Sequence, residues 1–98
     1  MSVSLISVDP NNPKPPFTTD AVFVAKGVTE LPQNNADRRR LIICLAGKAE
    51  ITVRTESVEV FLLATPSTGL LVEAGADILS VGGPDNVATL IFSSPREA

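Results

Sequence analysis

Short runs of aliphatic and β-branched residues, separated at regular intervals by turn-forming residues, are the feature that most constrains the fold of this chain. Such runs favour strands, and their even spacing is typical of a sandwich or barrel. No stretch shows a sustained helical repeat with capping signals. The pattern predicts seven strands after residue 20, at Ala21–Ala25, Leu41–Ala46, Glu50–Arg54, Val58–Ala64, Gly69–Glu73, Ile78–Val81 and Val87–Ser93.

The first 20 residues differ in composition from the rest. Four prolines lie between positions 10 and 16, where they fix φ and remove amide donors, so this stretch should be extended. Val3, Leu5 and Val8 precede it and suit a short edge strand or an exchanged strand, whereas a disordered tail is the alternative. We therefore predict an extended N-terminal arm over residues 1–20 and a domain over 21–98. The fold class is all-β, an antiparallel β-sandwich or jelly roll of about seven or eight strands.

Some predicted strands are apolar on both faces. Leu41–Leu45 and Val87–Phe92 have this character, and Phe61 and Leu63 lie on the opposite face from their apolar neighbours in strand 58–64. A single sandwich buries one face of each sheet, so a second burial surface is expected. A homo-oligomer interface, in a dimer or trimer, supplies such a surface. Ordinary exposed apolar area is the alternative.

The residue inventory lacks most catalytic side chains. The chain has no His, Trp or Tyr and one cysteine, Cys44, within an apolar strand. Histidine-based triads and imidazole metal sites are therefore excluded, and Cys44 is expected to be buried and unreactive. Paired carboxylates for glycoside hydrolysis, and calcium at Asn- and Asp-rich turns, are weaker alternatives. The sequence therefore predicts no catalytic residue, no cofactor, no metal and no enzymatic activity.

Charge is low and dispersed, with a net value of −3, and the only local concentration is Arg38, Arg39 and Arg40. This pattern gives no basic stripe for nucleic acid. No apolar run approaches the ~20 residues of a membrane span, and the N-terminus lacks the pattern of a signal peptide. The arginines either anchor an acidic partner surface or form a solvated entrance to the following strand.

The region from residue 28 to residue 92 resembles small β-sandwich modules of tailed-phage virions. The resemblance rests on Val28–Pro32, Arg38–Ile43 with its glycine turn, Glu50–Val53, Leu71–Gly75 and Ala88–Ile91. It implies a capsid decoration (cement) protein that stabilises the phage head through contacts between subunits and through its arm. A glycan- or protein-binding module of a phage fibre or spike is the alternative.

That resemblance also implies a major capsid protein or another virion protein as the partner, and a place on the capsid surface after assembly in the host cytoplasm. It implies neither nucleic acid nor membrane as a partner. The residues expected to bind the partner or a second subunit are Leu5, Ile6, Val8, Phe17, Arg38, Arg39, Arg40, Phe61 and Leu63.

A second resemblance concerns cupin-type sugar ketoisomerases. Leu41–Gly47 is similar to their apolar stretch before an alternating strand, and Thr68–Leu70 is similar to one of their turns. Those enzymes use histidines, which this chain lacks, so the resemblance implies a degenerate cupin without that activity.

Overall fold

A computed structural model of the chain describes residues 3–9, 11–27, 29–30, 37–82 and 88–95. Within these ranges the chain forms nine strands and no α-helix. The strands are β1 (Val3–Ser7), β2 (Ala21–Lys26), β3 (Thr29–Glu30), β4 (Arg40–Cys44), β5 (Ala49–Thr55), β6 (Val58–Ala64), β7 (Thr68–Val72), β8 (Asp77–Gly82) and β9 (Ala88–Ser93).

The strands form two antiparallel sheets. Sheet A has the order β1-β7-β4-β9-β2, and sheet B has the order β3-β8-β5-β6. Neighbours in sheet A are distant in sequence, whereas sheet B contains the β5–β6 hairpin. The all-β sandwich predicted from the sequence is confirmed. In the described part of the chain no helix has the length and apolar character of a membrane span.

The seven predicted strands correspond to β2 and β4–β9, with ends that differ by at most two residues; the predicted start of the last strand, Val87, lies outside the described residues. The turn between β5 and β6 is formed by Glu56 and Ser57, which adopt φ values of 49° and 69°. Two consecutive residues with positive φ are typical of the tight hairpin turns that match strand twist. At these two positions the backbone is strained, because both residues have a Cβ atom. The sequence Asn-Gly would adopt the same turn with less strain.

The inner core lies between the sheets and is aliphatic. Alternate residues of β4, β5, β7 and β8 point into it, as expected for strands with one face toward a core. Its larger members are Ile42, Ile51, Val53, Leu70, Val72, Ile78, Val81 and Ile91, each at most 2% exposed.

The outer face of sheet A has a second, smaller apolar cluster. Leu41, Ile43 and Leu71 form its buried part, and Leu90 and Phe92 pack beside them. The chain's own N-terminal residues Ile6, Val8 and Phe17 cover this face. The two-faced strands β4 and β9 therefore have a second burial surface within one subunit, whereas Phe61 and Leu63 of β6 stay exposed.

The N-terminal segment is tied to the sandwich at several points. β1 pairs with β7 over five residues, from Val3 opposite Val72 to Ser7 opposite Thr68. Val3 belongs to the inner core, and the amide of Val8 donates to the carbonyl of Ser67 at 3.1 Å. Of the three forms open for this segment, an edge strand, an exchanged strand or a disordered tail, the edge strand is observed, at Val3–Ser7. The division of the chain at residue 20 stays a prediction.

Candidate functional site

A cluster of charged and hydroxyl side chains lies at one end of the sandwich, where β4 begins and where β7 and β9 end. The cross-strand partners of Arg40 are Val72 and Ser93, so these strand ends are adjacent. We call this group the arginine cluster. Its members are Asp20, Arg38, Arg39, Arg40, Glu73, Asp77, Ser93 and Ser94.

Arg38 connects the start of β4 to the residue that precedes β2. Its Nη1 donates to Asp20 Oδ1 at 2.8 Å and to Ser93 Oγ at 3.1 Å. Because both charged side chains are partly exposed, with 26% and 42% of their side-chain surface accessible, solvent screens the pair. A part of the guanidinium is therefore open to a further acceptor.

Arg39 makes a two-pronged ion pair with Glu73. Its Nε donates to Oε2 at 2.7 Å, and its Nη2 donates to Oε1 at 3.0 Å. The guanidinium also lies 5.2 Å from the centre of the Phe17 ring, within the range of a cation–π contact. Its backbone amide donates to Ser94 Oγ at 2.9 Å. Arg39 thus joins β4, β9 and the N-terminal segment.

Arg40 is buried, with 2% of its surface exposed. Its Nη2 donates to the carbonyl of Ala76 and, at 3.5 Å, to that of Glu73. Desolvation lowers the pKa of this guanidinium to about 10, while the negative charges of Asp77 and Asp37 act in the opposite direction. The buried cation is therefore compensated by two carbonyls in the turn between β7 and β8 and by the carboxylates of Asp77 and Asp37.

Asp77 is the carboxylate next to this buried cation. Its Oδ1 is inaccessible to solvent and accepts no hydrogen bond from the described residues. A carboxylate is able to exchange a proton with a ligand or to accept a hydrogen bond from it, and because Asp77 is only half-buried this would involve its other oxygen, Oδ2. Within the described residues no group of three or more His, Cys, Asp or Glu side chains is arranged to hold a metal ion.

The other polar pair of the interior lies away from the arginine cluster. Cys44 faces Thr89 across β4 and β9, and both are fully buried. The Cys44 thiol donates to the carbonyl of Ala46 at 3.0 Å, and burial raises its pKa. A protonated, inaccessible thiol is a poor nucleophile, which favours a packing role for Cys44.

The nine residues expected to bind a partner fall into separate places. Ile6, Val8 and Phe17 lie together on the outer face of sheet A, and Phe17 contacts Arg39. Leu5 lies on β1 at the edge of sheet A, 53% exposed, and Phe61 and Leu63 lie on β6, 60% and 47% exposed. The three arginines each contact groups of their own chain. A role of these nine residues in binding a partner stays a prediction.

Sequence reasoning missed the residues that complete the cluster. Asp20 lies 18 positions from Arg38, and Glu73 lies 34 positions from Arg39. Ser93 and Ser94 each lie 55 positions from the arginine they contact. These separations are too long for a local sequence pattern to reveal the contacts. Of these four residues, only Glu73 belongs to a sequence motif that the analysis had identified, the turn Leu71–Gly75.

Comparison with solved structures identifies the class of protein that has this fold. The sugar 3,4-ketoisomerase QdtA of Thermoanaerobacterium thermosaccharolyticum, solved with TDP, superposes with a TM-score of 0.71 at 16% identity over 99% of this chain and 83% of its own. WlaRA, a TDP-fucose-3,4-ketoisomerase of Campylobacter jejuni, gives 0.74 at 13% identity over 100% and 85%. The Legionella pneumophila 3,5-epimerase RmlC gives 0.60 at 12% identity over 84% and 50%.

Identity of 16% or less shows a shared fold and nothing finer, so the chain has the fold of these sugar-nucleotide isomerases and epimerases. No protein-family model matches the sequence, and none of the curated proteins compared with it is similar.

These neighbours correct the main functional reading of the sequence. The resemblance to phage virion modules is wrong, because the structures that share this fold are enzymes of nucleotide-linked sugars. The predicted capsid decoration role, the capsid protein as partner and the virion location are wrong with it. The prediction that the chain is not an enzyme is contradicted by the same structures. The short matching pieces were strand and turn patterns that many sandwiches share. The second resemblance, to cupin-type sugar ketoisomerases, is the one that the fold supports.

Proposed function

We propose that this protein binds a nucleoside-diphosphate-linked keto sugar and isomerises it. The observation that carries the proposal is the likeness to sugar 3,4-ketoisomerases over nearly the whole of this chain, with TM-scores of 0.71 and 0.74. Because one fold hosts many functions, the site has to supply the chemistry.

A 3,4-ketoisomerisation moves a ketone from C4 to C3 of the sugar without net oxidation. A base removes the proton from C3, the resulting enediol transfers its hydroxyl proton, and an acid delivers a proton to C4. Histidine often performs such steps, but this chain has none. The proton-exchanging side chains that remain are carboxylates, lysines and the buried Cys44, and of these only carboxylates belong to the arginine cluster.

Asp77 is the carboxylate that we assign to this role. Asp77 is half-buried as a residue; its Oδ1 is enclosed and accepts no hydrogen bond from the described part of the chain, so proton exchange with the sugar would take place at Oδ2. The positive charge of Arg40, which is buried, lies near this carboxylate and acts on it electrostatically without touching the sugar. In this proposal the partly exposed Arg38 contacts a phosphate oxygen of the nucleotide.

The test is to incubate the protein with TDP-4-keto-6-deoxyglucose and to follow the sugar by proton NMR, while calorimetry measures TDP binding. We expect TDP to bind and the 3-keto product to form. Asp77→Asn should abolish turnover and keep TDP binding, whereas the exposed control Glu59→Gln should change neither. Failure to bind TDP would overturn the whole proposal. Binding without turnover would overturn the isomerase assignment.

A further inference from the structure

The edge strand β6 of sheet B is apolar on both faces. Within the described part of the chain, β5 is its only neighbour in the sheet. Phe61 and Leu63 are exposed on its outer face, and Val58 is 59% exposed near its start. Natural sheets protect free edges with charges, proline or bulges, because an unprotected edge pairs with other strands. β6 has one charge, Glu59, no proline and continuous pairing with β5, so its edge is suited to accept a further strand.

The turn before β6 shows which of its backbone groups point outward. Thr55 lies opposite Val58, and only the two turn residues with positive φ separate them. In such a two-residue hairpin the residues that flank the turn exchange both backbone hydrogen bonds, and bonded and non-bonded pairs then alternate. The even-numbered residues of β6 therefore bond to β5. The residues whose amides and carbonyls point away from the sheet are Glu59, Phe61 and Leu63.

We propose that β6 binds an extended segment of another protein, which adds to sheet B as an antiparallel strand. The segment bonds to both outward backbone groups of each of the three odd-numbered residues. On the outer face its side chains lie beside Phe61 and Leu63. On the other face they lie beside Val58 and Leu62, of which Leu62 packs against the inner core. The bound segment is therefore apolar on both faces at these positions.

Glu59 defines the charge that the segment carries. Its ion pair with Arg54 is a single contact at 3.4 Å, and 59% of its side-chain surface is exposed, so the carboxylate keeps acceptor capacity. The adjoining turn adds a second carboxylate, Glu56. A Lys or Arg opposite Glu59 forms a favourable cross-strand pair, whereas an acidic residue there is repelled. The segment therefore carries a basic residue at the position opposite Glu59.

The same charge argues against a second copy of this chain at this edge. β6 has no basic residue, so no register of β6 against β6 sets a cation opposite Glu59. Self-pairing sets this carboxylate against an apolar side chain or against the Glu59 of the other copy. The chemistry of the edge therefore specifies a strand from a different protein, apolar on both faces with one basic residue.

A short peptide tests the proposal on the full chain. Its core sequence is Val-Leu-Val-Val-Lys, with blocked ends and a fluorescent dye on a Gly-Ser linker, and fluorescence anisotropy measures binding. In antiparallel pairing its first, third and fifth residues lie opposite Leu63, Phe61 and Glu59. We expect saturable binding with a dissociation constant of ~1 mM or lower. No binding at ~1 mM peptide would overturn the proposal.

Methylation of the peptide backbone tests the hydrogen bonds without altering the protein. An N-methyl group on the third residue, whose amide bonds to the carbonyl of Phe61, should weaken binding about tenfold. An N-methyl group on the second residue, whose amide points away from β6, is the matched control and should change the affinity little. Equal weakening by the two methyl groups would show that the peptide does not pair with β6, and would overturn the proposal.

A charge exchange tests the recognition of the basic residue. Glu59→Lys should weaken binding of the lysine peptide about fivefold or more and should favour a peptide with Glu in place of its Lys. Glu50→Lys, exposed on the neighbouring strand β5, is the matched control and should keep the preference for the lysine peptide. Circular dichroism checks that both variants are folded. An unchanged preference in Glu59→Lys would overturn the proposal, as would a dimer of the chain without peptide that Phe61→Glu dissociates.

Discussion

Arg39 and Glu73 form a two-pronged ion pair, from Nε to Oε2 at 2.7 Å and from Nη2 to Oε1 at 3.0 Å. The pair connects the residue before β4 with the turn that follows β7. Its two parallel bonds fix the relative position of these neighbouring strand ends, and the Phe17 ring packs on the same guanidinium. The geometry is that of the stronger class of surface ion pair.

Glu73→Ala should lower the free energy of unfolding by ~1 kcal/mol, near the upper end for partly exposed pairs. Urea denaturation of the purified protein measures the change. Glu59→Ala is the control, because its pair with Arg54 is a single contact at 3.4 Å between more exposed side chains. The control should cost only a few tenths of a kcal/mol. Equal losses in the two variants would show that the bidentate geometry contributes nothing.

The buried thiol of Cys44 should make stability fall at alkaline pH. Burial raises its pKa, so the folded state keeps the proton at pH values where the unfolded chain loses it. The stabilising contribution is complete below the ordinary thiol pKa of ~8.5 and is lost as pH rises through the higher folded value. Denaturation by guanidinium at pH 7, 8, 9 and 10 should show the wild type losing stability relative to Cys44→Ala above pH ~8.5. If the free energies of unfolding of the two proteins changed with pH in the same way, the raised pKa of Cys44 would be contradicted.

The β5–β6 turn should be improved by residues that accept positive φ. Replacing Glu56 with Asn and Ser57 with Gly should raise the free energy of unfolding by ~1 kcal/mol, because L side chains are strained in this region. Thermal and urea unfolding measure the gain. Ser67→Gly, in a turn where the residue does not have positive φ, is the control and should not stabilise. If Ser67→Gly raised the free energy of unfolding as much as the double variant did, positive φ at residues 56 and 57 would not be the cause of the gain.

Deletion of residues 1–17 should destabilise the sandwich strongly. It removes β1 and uncovers Leu41, Ile43 and Leu71, and each large apolar side chain buried is worth ~1.5–3 kcal/mol. We expect a loss of at least ~3 kcal/mol in urea unfolding. Leu5→Ser, at a half-exposed position of β1, is the control and should cost less than ~1 kcal/mol. A truncated protein that melts within a few degrees of the full chain would instead support the domain boundary at residue 20.

Much of the fold could be predicted from the sequence. The positions of β2 and β4–β9 were predicted to within two residues. The prediction used apolar runs, alternating or continuous, that lie between turn-forming residues, because these strands follow from the local sequence. The N-terminal cover could not be predicted, since Val8 and Phe17 meet Leu41 and Leu71 only after the chain has folded back. The apolar outer face of β4 was therefore read as a subunit interface.

The candidate site was less accessible to sequence reasoning. The arginine triplet was visible, but its carboxylate and hydroxyl partners come from distant strand ends, and the buried state of Arg40 is a property of the packed sandwich. The functional class was missed for a related reason. The absence of histidine was taken as evidence against an enzyme. In addition, the sequence is at most 16% identical to its structural neighbours, so few shared residues are available for recognising the class.

The position of β9 between β4 and β2 has a consequence for biosynthesis. β2 has no partner in its sheet until residues 88–93 have left the ribosome, and β1 likewise waits for β7. Pairing of such distant segments is slow, because loop closure must precede the gain from contacts. Until those residues emerge, the nascent chain exposes the sequence Ala21–Lys26 as an unpaired apolar segment, which makes that segment the expected site of chaperone contact during translation.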